Sequence, residues 1–189
     1  MAVVFIHGLG ASPTSFAHLA LHVPGCILTS YRSHMPIRSA IEQVRRQLPQ
    51  EENILVGHSL GGIIALHLAH QTPVSHVVTI SSPLGGSKPA RFLKWMMFGM
   101  PVFCDLTPES TVIRQLQTPP PCAVTSLTST AGGMPTLFGE ENDGTVTLSS
   151  QRALSYATHL DVNANHMEIL LHPDTTHLVR SLVIEQGRV

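Results

Sequence analysis

Apolar residues in this chain gather in short, nearly unbroken runs. Ala2 to Ile6, Cys26 to Tyr31, Ile54 to Val56, Ser75 to Ile80, Ala123 to Leu127 and Leu160 to Val162 read as six strands. Helical stretches separate them. Ser12-Pro13 places a capping residue before proline at a first helical position, opening a helix to about His22. Ile37, Ile41, Val44 and Leu48 recur at helical spacing on one face of a second helix. Ile63 to Ala69 begins a third that runs to about Gln71, and a last helix spans Pro173 to about Gln186. Strands that are apolar on both faces, alternating with helices, predict a parallel α/β sheet of about six strands, covered by helices on both faces.

One stretch interrupts the alternation. Residues 85–121 are long for a connection inside a compact domain. They hold Phe92, Leu93, Trp95, Met96, Met97, Phe98, Met100 and Phe103, a dense run of bulky apolar side chains. Two readings stand. Either the stretch is a pair of helices completing the core, or it is a small helical cap or lid inserted into a single domain of residues 1–189. In the second reading Trp95, Met97 and Phe98 would line an acyl pocket.

Composition narrows the classes. The 189 residues suit one domain. Charged residues are only 12%, about half the usual fraction, which leaves much of the surface neutral or apolar. A net charge of −1 gives no argument for a nucleic-acid partner or an anionic membrane, and no nucleic-acid partner is expected. Such a surface suits small-molecule or lipid substrates and transient contact with a lipid interface, but it suits a hidden dimer face equally, and the oligomeric state stays open. Twelve histidines show no metal-ligand spacing. Three cysteines cannot all pair, and Cys26 and Cys122 read as small buried hydrophobes in strands. Met1 to Ile6 has no basic segment and no cleavage site. A cytoplasmic protein is therefore expected, or a secreted one if a leader was removed.

The chemistry centres on Gly57-His58-Ser59-Leu60-Gly61-Gly62, set between a predicted strand and a predicted helix. A serine on a sharp strand-to-helix turn, with glycines two before and two after, is the pattern of a nucleophile elbow. The strained turn lifts the hydroxyl clear of the sheet edge. Side chains at Gly57 and Gly61 would collide with the adjoining strand and helix.

A serine hydroxyl needs a general base, and the base needs an orienting acid. Such groups are expected on loops at the carboxyl ends of later strands. Asn142-Asp143-Gly144-Thr145-Val146 follows the fifth strand and supplies Asp143 as the acid, with Asp105, Glu140 and Asp161 as weaker competitors. Asn165-His166 follows the sixth strand and supplies His166 as the base. An oxyanion hole needs two backbone N–H donors. Leu60 is one, at the start of its helix. Leu9, in the turn His7-Gly8-Leu9-Gly10, is the other, with Gly10 next in line.

These segments, together with Ser81-Ser82-Pro83 and Asp105-Leu106-Thr107-Pro108-Glu109-Ser110, resemble the α/β-hydrolase superfamily, and within it the small bacterial serine lipases and esterases. The resemblance covers nearly the whole chain. It implies a minimal sheet that opens on the oxyanion strand. It also implies hydrolysis of carboxylic esters through a Ser59–Asp143–His166 triad and an acyl-enzyme, with no cofactor and no metal. The natural substrate is not named by it. An acyl-thioesterase or acyltransferase would use the same triad, and a non-catalytic lipid-binding protein could keep the fold.

Overall fold

The computed structural model describes residues 1–87, 100–132 and 139–185. Six parallel strands form one sheet: β1 (Ala2–Ile6), β2 (Ile27–Leu28), β3 (Asn53–His58), β4 (Val74–Ile80), β5 (Ala123–Ser129) and β6 (Thr158–Val162), in spatial order β2-β1-β3-β4-β5-β6. The order reverses once, beside β1 and β3. A sheet of this kind collects its functional loops outside the carboxyl ends of its strands near such a reversal.

The strands divide their side chains between two cores, as the period of two requires. Val4, Ile6, Leu55 and Val77 face one side, with α2 (Ile37–Arg45) and α3 (Leu60–Ala69). Phe5, Ile54, Val56, Val78 and Ile80 face the other. There they meet Phe16 of a short 3-10 turn, Leu19 of α1 (Ala17–His22) and Val179 of α7 (Pro173–Glu185). Burial on both faces is why these strands read as continuous apolar runs. Helix α3 is apolar all round, because it is packed against β3, β4 and α2 at once.

Three short helices, α4 (Val102–Asp105), α5 (Thr111–Gln115) and α6 (Leu148–Gln151), and a 3-10 turn at Glu168–Leu171 complete the described elements. Val102, Leu106, Val112, Ile113 and Leu116 join the core on the α2–α3 face. Asp105 closes the start of α2, accepting a hydrogen bond from the Ile37 N–H at 2.7 Å. Trp95, Met97 and Phe98 lie outside the described residues.

Some boundaries differ from the expected ones. The second strand is two residues rather than six. After Thr29, whose N–H still bonds to the Phe5 carbonyl at 3.0 Å, the chain turns so that Tyr31 packs on His7. Cys26 and Cys122 lie just before β2 and β5, not within them, and both are half-buried free thiols. Ser12 begins the 3-10 turn with extended backbone, but its side chain makes no capping bond. Among the described residues, no helix is long and apolar enough to cross a membrane.

Candidate active site

Ser59 joins β3 directly to α3, with φ 54° and ψ −121°. The left-handed backbone costs a non-glycine residue of order 1–3 kcal/mol, so the surroundings must hold it. The two flanking glycines show how. A Cβ on Gly61 would stand 1.9 Å from the Ile6 carbonyl oxygen of β1. One on Gly57 would stand 2.3 Å from the backbone of Gly61 itself. Strand and helix therefore approach to backbone contact, and the Ser59 N–H ties the turn to the Ile80 carbonyl at 2.8 Å.

Asp143 is buried a few residues before α6. Its Oδ1 accepts the N–H groups of Thr145 and Val146 at 2.9 and 2.7 Å. Its Oδ2 accepts from His166 Nδ1 at 2.8 Å, from Gln151 Nε2 at 3.1 Å and from the Ser129 hydroxyl. Burial works to raise this carboxyl. The hydrogen bond and charge of His166, then Ser129 and the Val146 N–H, outweigh it and hold the group below the usual carboxylate range. Gly144, at φ 97°, makes the turn that exposes those N–H groups.

His166 follows β6, and its N–H donates to the Asp143 carbonyl at 3.0 Å. A carboxylate on Nδ1 fixes the proton there and leaves the Nε2 lone pair free to take another. A second imidazole supports it from behind. His58 donates from Nε2 to the His166 carbonyl at 2.8 Å, and the two rings lie 4.8 Å apart. Burial first, then the neighbouring His166, pushes the His58 ring down to about 3, against the pull of its hydrogen bond and of Asp143. His58 is therefore neutral at ordinary pH, and its buried Nδ1 has no hydrogen-bond partner among the described residues.

Ser59, His58 and His166 line one cavity of about 450 Å³ with Leu9, Leu60, Phe103, Leu106, Val146 and Met167. Among the described residues, Ser59 makes no hydrogen bond with the His166 ring. Leu60 opens α3, where a backbone N–H has no acceptor within the helix. The Gly10 N–H is already given to Ser33 Oγ at 2.9 Å, while Leu9 lines the cavity. His7, whose imidazole burial lowers against a hydrogen bond to the Gly8 carbonyl, stacks on Tyr31 at 4.3 Å beneath the turn.

Two of the competing acids lie elsewhere: Asp105 caps α2, and Asp161 pairs with Arg152 on the surface. Sequence reading missed His58, Ser129 and Gln151. His58 was in view as a member of the elbow, but Ser129 and Gln151 carry no local pattern at all. Among the described residues, no cluster of His, Cys, Asp and Glu could hold a metal ion.

A chain that sets a serine turn, a buried acid–histidine pair and an apolar cavity at the carboxyl edge of a parallel sheet has the design of a hydrolase fold. The model of the alpha/beta hydrolase family matches residues 3–180, and the chain belongs to that family. Its structure is similar to the mature form of the Bacillus licheniformis lipase BlEst2, with a TM-score of 0.73 and 21% identity, over 100% of this chain and 92% of that one. It is also similar to the metagenomic carboxyl esterase MGS0156, with a TM-score of 0.74 and 17% identity, over 98% and 76% of the two chains. At these identities the likeness is one of fold. In sequence, 99 residues are 35% identical to the magnesium-chelatase 30 kDa subunit of Rhodobacter capsulatus, a match covering 43% of this chain. The match spans about a third, 34%, of that relative's length.

Proposed function

We propose that the protein is a serine hydrolase of carboxylic esters, a lipase or carboxylesterase. The observation that carries the reading is a strained serine turn sharing one apolar cavity with a histidine whose Nδ1 is bonded to a buried carboxylate. Ser59 Oγ attacks the acyl carbonyl carbon as His166 Nε2 takes its proton. The carbonyl electron pair moves onto oxygen, and the Leu9 and Leu60 N–H groups receive that negative charge. As the tetrahedral intermediate collapses, the ester C–O bond breaks and His166 returns the proton to the leaving alcohol. Water then repeats the sequence on the acyl-enzyme, with His166 again as base. Asp143 holds the imidazole in the productive tautomer and stabilises its charged form. Leu9, Phe103, Leu106 and Val146 supply an apolar wall for the acyl group.

The test is turnover of a short p-nitrophenyl ester together with labelling by a fluorophosphonate. Wild type should do both, and Ser59→Ala should lose the label and about 10⁴-fold or more of turnover. A wild type that neither hydrolyses acyl esters nor labels at Ser59 overturns the reading.

A further inference from the structure

Among the described residues, two that are not glycine have left-handed backbone: Ser59 at φ 54° and Ser81 at φ 49°. They end the neighbouring strands β3 and β4. The strain at Ser59 presents a nucleophile. The proposed reaction gives Ser81 no task, yet Ser81 is wholly buried and belongs to the Ser81-Ser82-Pro83 segment singled out in the sequence.

Its hydroxyl has a specific destination. Ser81 Oγ lies 2.7 Å from Ser129 Oγ at the end of β5, and Ser129 Oγ lies 2.5 Å from Asp143 Oδ2. The direction of the bonds follows from proton counting. An ionised carboxylate only accepts, so Ser129 spends its single hydroxyl proton on Asp143. Ser129 Oγ must then accept, and Ser81 must donate. Gln151 braces the same point: its Oε1 accepts the Ser129 N–H at 3.0 Å while its Nε2 donates to Asp143 Oδ2. All four side chains are buried, where a hydrogen bond fixes orientation most strongly because water cannot replace it. The Oδ2 that ends the chain is the oxygen that accepts His166 Nδ1–H.

We infer that Ser81 is a positioning residue: its strained backbone aims a hydroxyl relay, Ser81 to Ser129 to Asp143 Oδ2, that sets the angle at which the acid grips His166. The inference rests on the reading of Asp143 and His166 as acid and base. It assigns the second left-handed serine to the acid side of the site, as the first serves the nucleophile side.

The backbone makes the test selective. Glycine accepts a left-handed conformation freely and alanine does not. Ser81→Gly and Ser81→Ala both remove the hydroxyl, but only alanine keeps the strain. Turnover of the p-nitrophenyl ester should be measured at saturating substrate, normalised to fluorophosphonate-titrated sites, beside the thermal midpoint of each variant. The two variants should lose kcat equally, about fivefold, with KM unchanged, while Ser81→Gly melts above Ser81→Ala. Ser129→Ala should lose more, and adding Ser81→Gly to it should change nothing further, because the relay is already cut. Unchanged kcat in both Ser81 variants overturns the inference. So does a kcat that follows the melting temperature, or losses that simply add in the double variant. Ser59→Ala separates the two levels. If it abolishes turnover while the Ser81 variants keep theirs, only the relay falls. If it retains turnover, the nucleophile reading falls and the relay with it.

Discussion

The two halves of the candidate site are built differently. The serine side is made by one continuous segment, residues 53–69, in which strand, turn and helix follow without a gap. The acid–base side is assembled from remote pieces. Asp143 rests on Ser129, Gln151 and His166, and His166 rests on His58, 108 positions earlier. A turn whose geometry is dictated by two missing side chains announces itself in the sequence. A carboxylate oriented by distant hydroxyl, amide and imidazole groups does not.

The sharpest way to break this contrast is at Gly61. An added methyl would sit 1.9 Å from the Ile6 carbonyl oxygen, and that partner is backbone in a central strand, so it cannot move aside alone. Gly61→Ala should cost more than about 4 kcal/mol and lower the melting temperature by more than about 10 °C, or leave no folded protein. Ser59→Ala, two residues away, should melt close to wild type. Thermal denaturation of the pair decides it. A Gly61→Ala protein that melts within a few degrees of wild type would show that the elbow is held by its surroundings and not by local sterics.

The same contrast explains what the chain disclosed before its structure was known. The strands β1, β3, β4 and β5 were legible because burial on both faces writes a continuous apolar run. β6 was shortened in the reading because it is an edge strand with Leu160 and Asp161 exposed, so its pattern is half polar. β2 was lengthened because Ser30 and Tyr31 look like strand residues, yet Tyr31 leaves the sheet to stack on His7. Asp143 and His166 were readable as types in the right order after the right strands. Their hydrogen bond, and the role of Ser129 and Gln151 in it, depends on which strand ends become neighbours, and no spacing encodes that.

His58 tests the remote half directly. It bridges the two, being next to Ser59 in sequence and bonded to the His166 carbonyl in space. Glutamine can extend an N–H to the place of the imidazole Nε2, whereas leucine fills the volume and donates nothing. His58→Leu should lose about tenfold in kcat, and His58→Gln appreciably less. Acid adds an independent check. The folded ring is held down to about 3 from an ordinary 6.5, so between those values the unfolded chain binds the proton and the folded one does not. Stability therefore falls as pH drops below 6.5 and goes on falling towards 3, by about 2 kcal/mol from this group at pH 5. Asp143, also lowered, loses stability in the same direction at more acid pH. Denaturant melts of wild type and His58→Gln at pH 7 and pH 5 should show the gap between them narrowing in acid. A constant gap would mean that burial does not keep His58 neutral.

The smallest effect concerns the turn proposed to hold the oxyanion, residues 7–10, which looks local but is held from outside. The Gly10 N–H is fixed by Ser33 Oγ, and the His7 carbonyl accepts the Tyr31 hydroxyl, contacts that reach 23 and 24 positions along the chain. If these contacts aim the Leu9 N–H, the turn belongs with the remote half of the site despite its compact motif. Ser33→Ala leaves the Gly10 N–H without its acceptor, and Tyr31→Phe leaves the His7 carbonyl without its donor. Each should lower kcat about threefold at constant KM, near the worth of one ordinary hydrogen bond, and lower the melting temperature by about 2–4 °C. If both variants melt earlier yet turn over as fast as wild type, the glycines alone set the turn. The oxyanion loop would then stand beside the serine elbow as a second locally written part of the site.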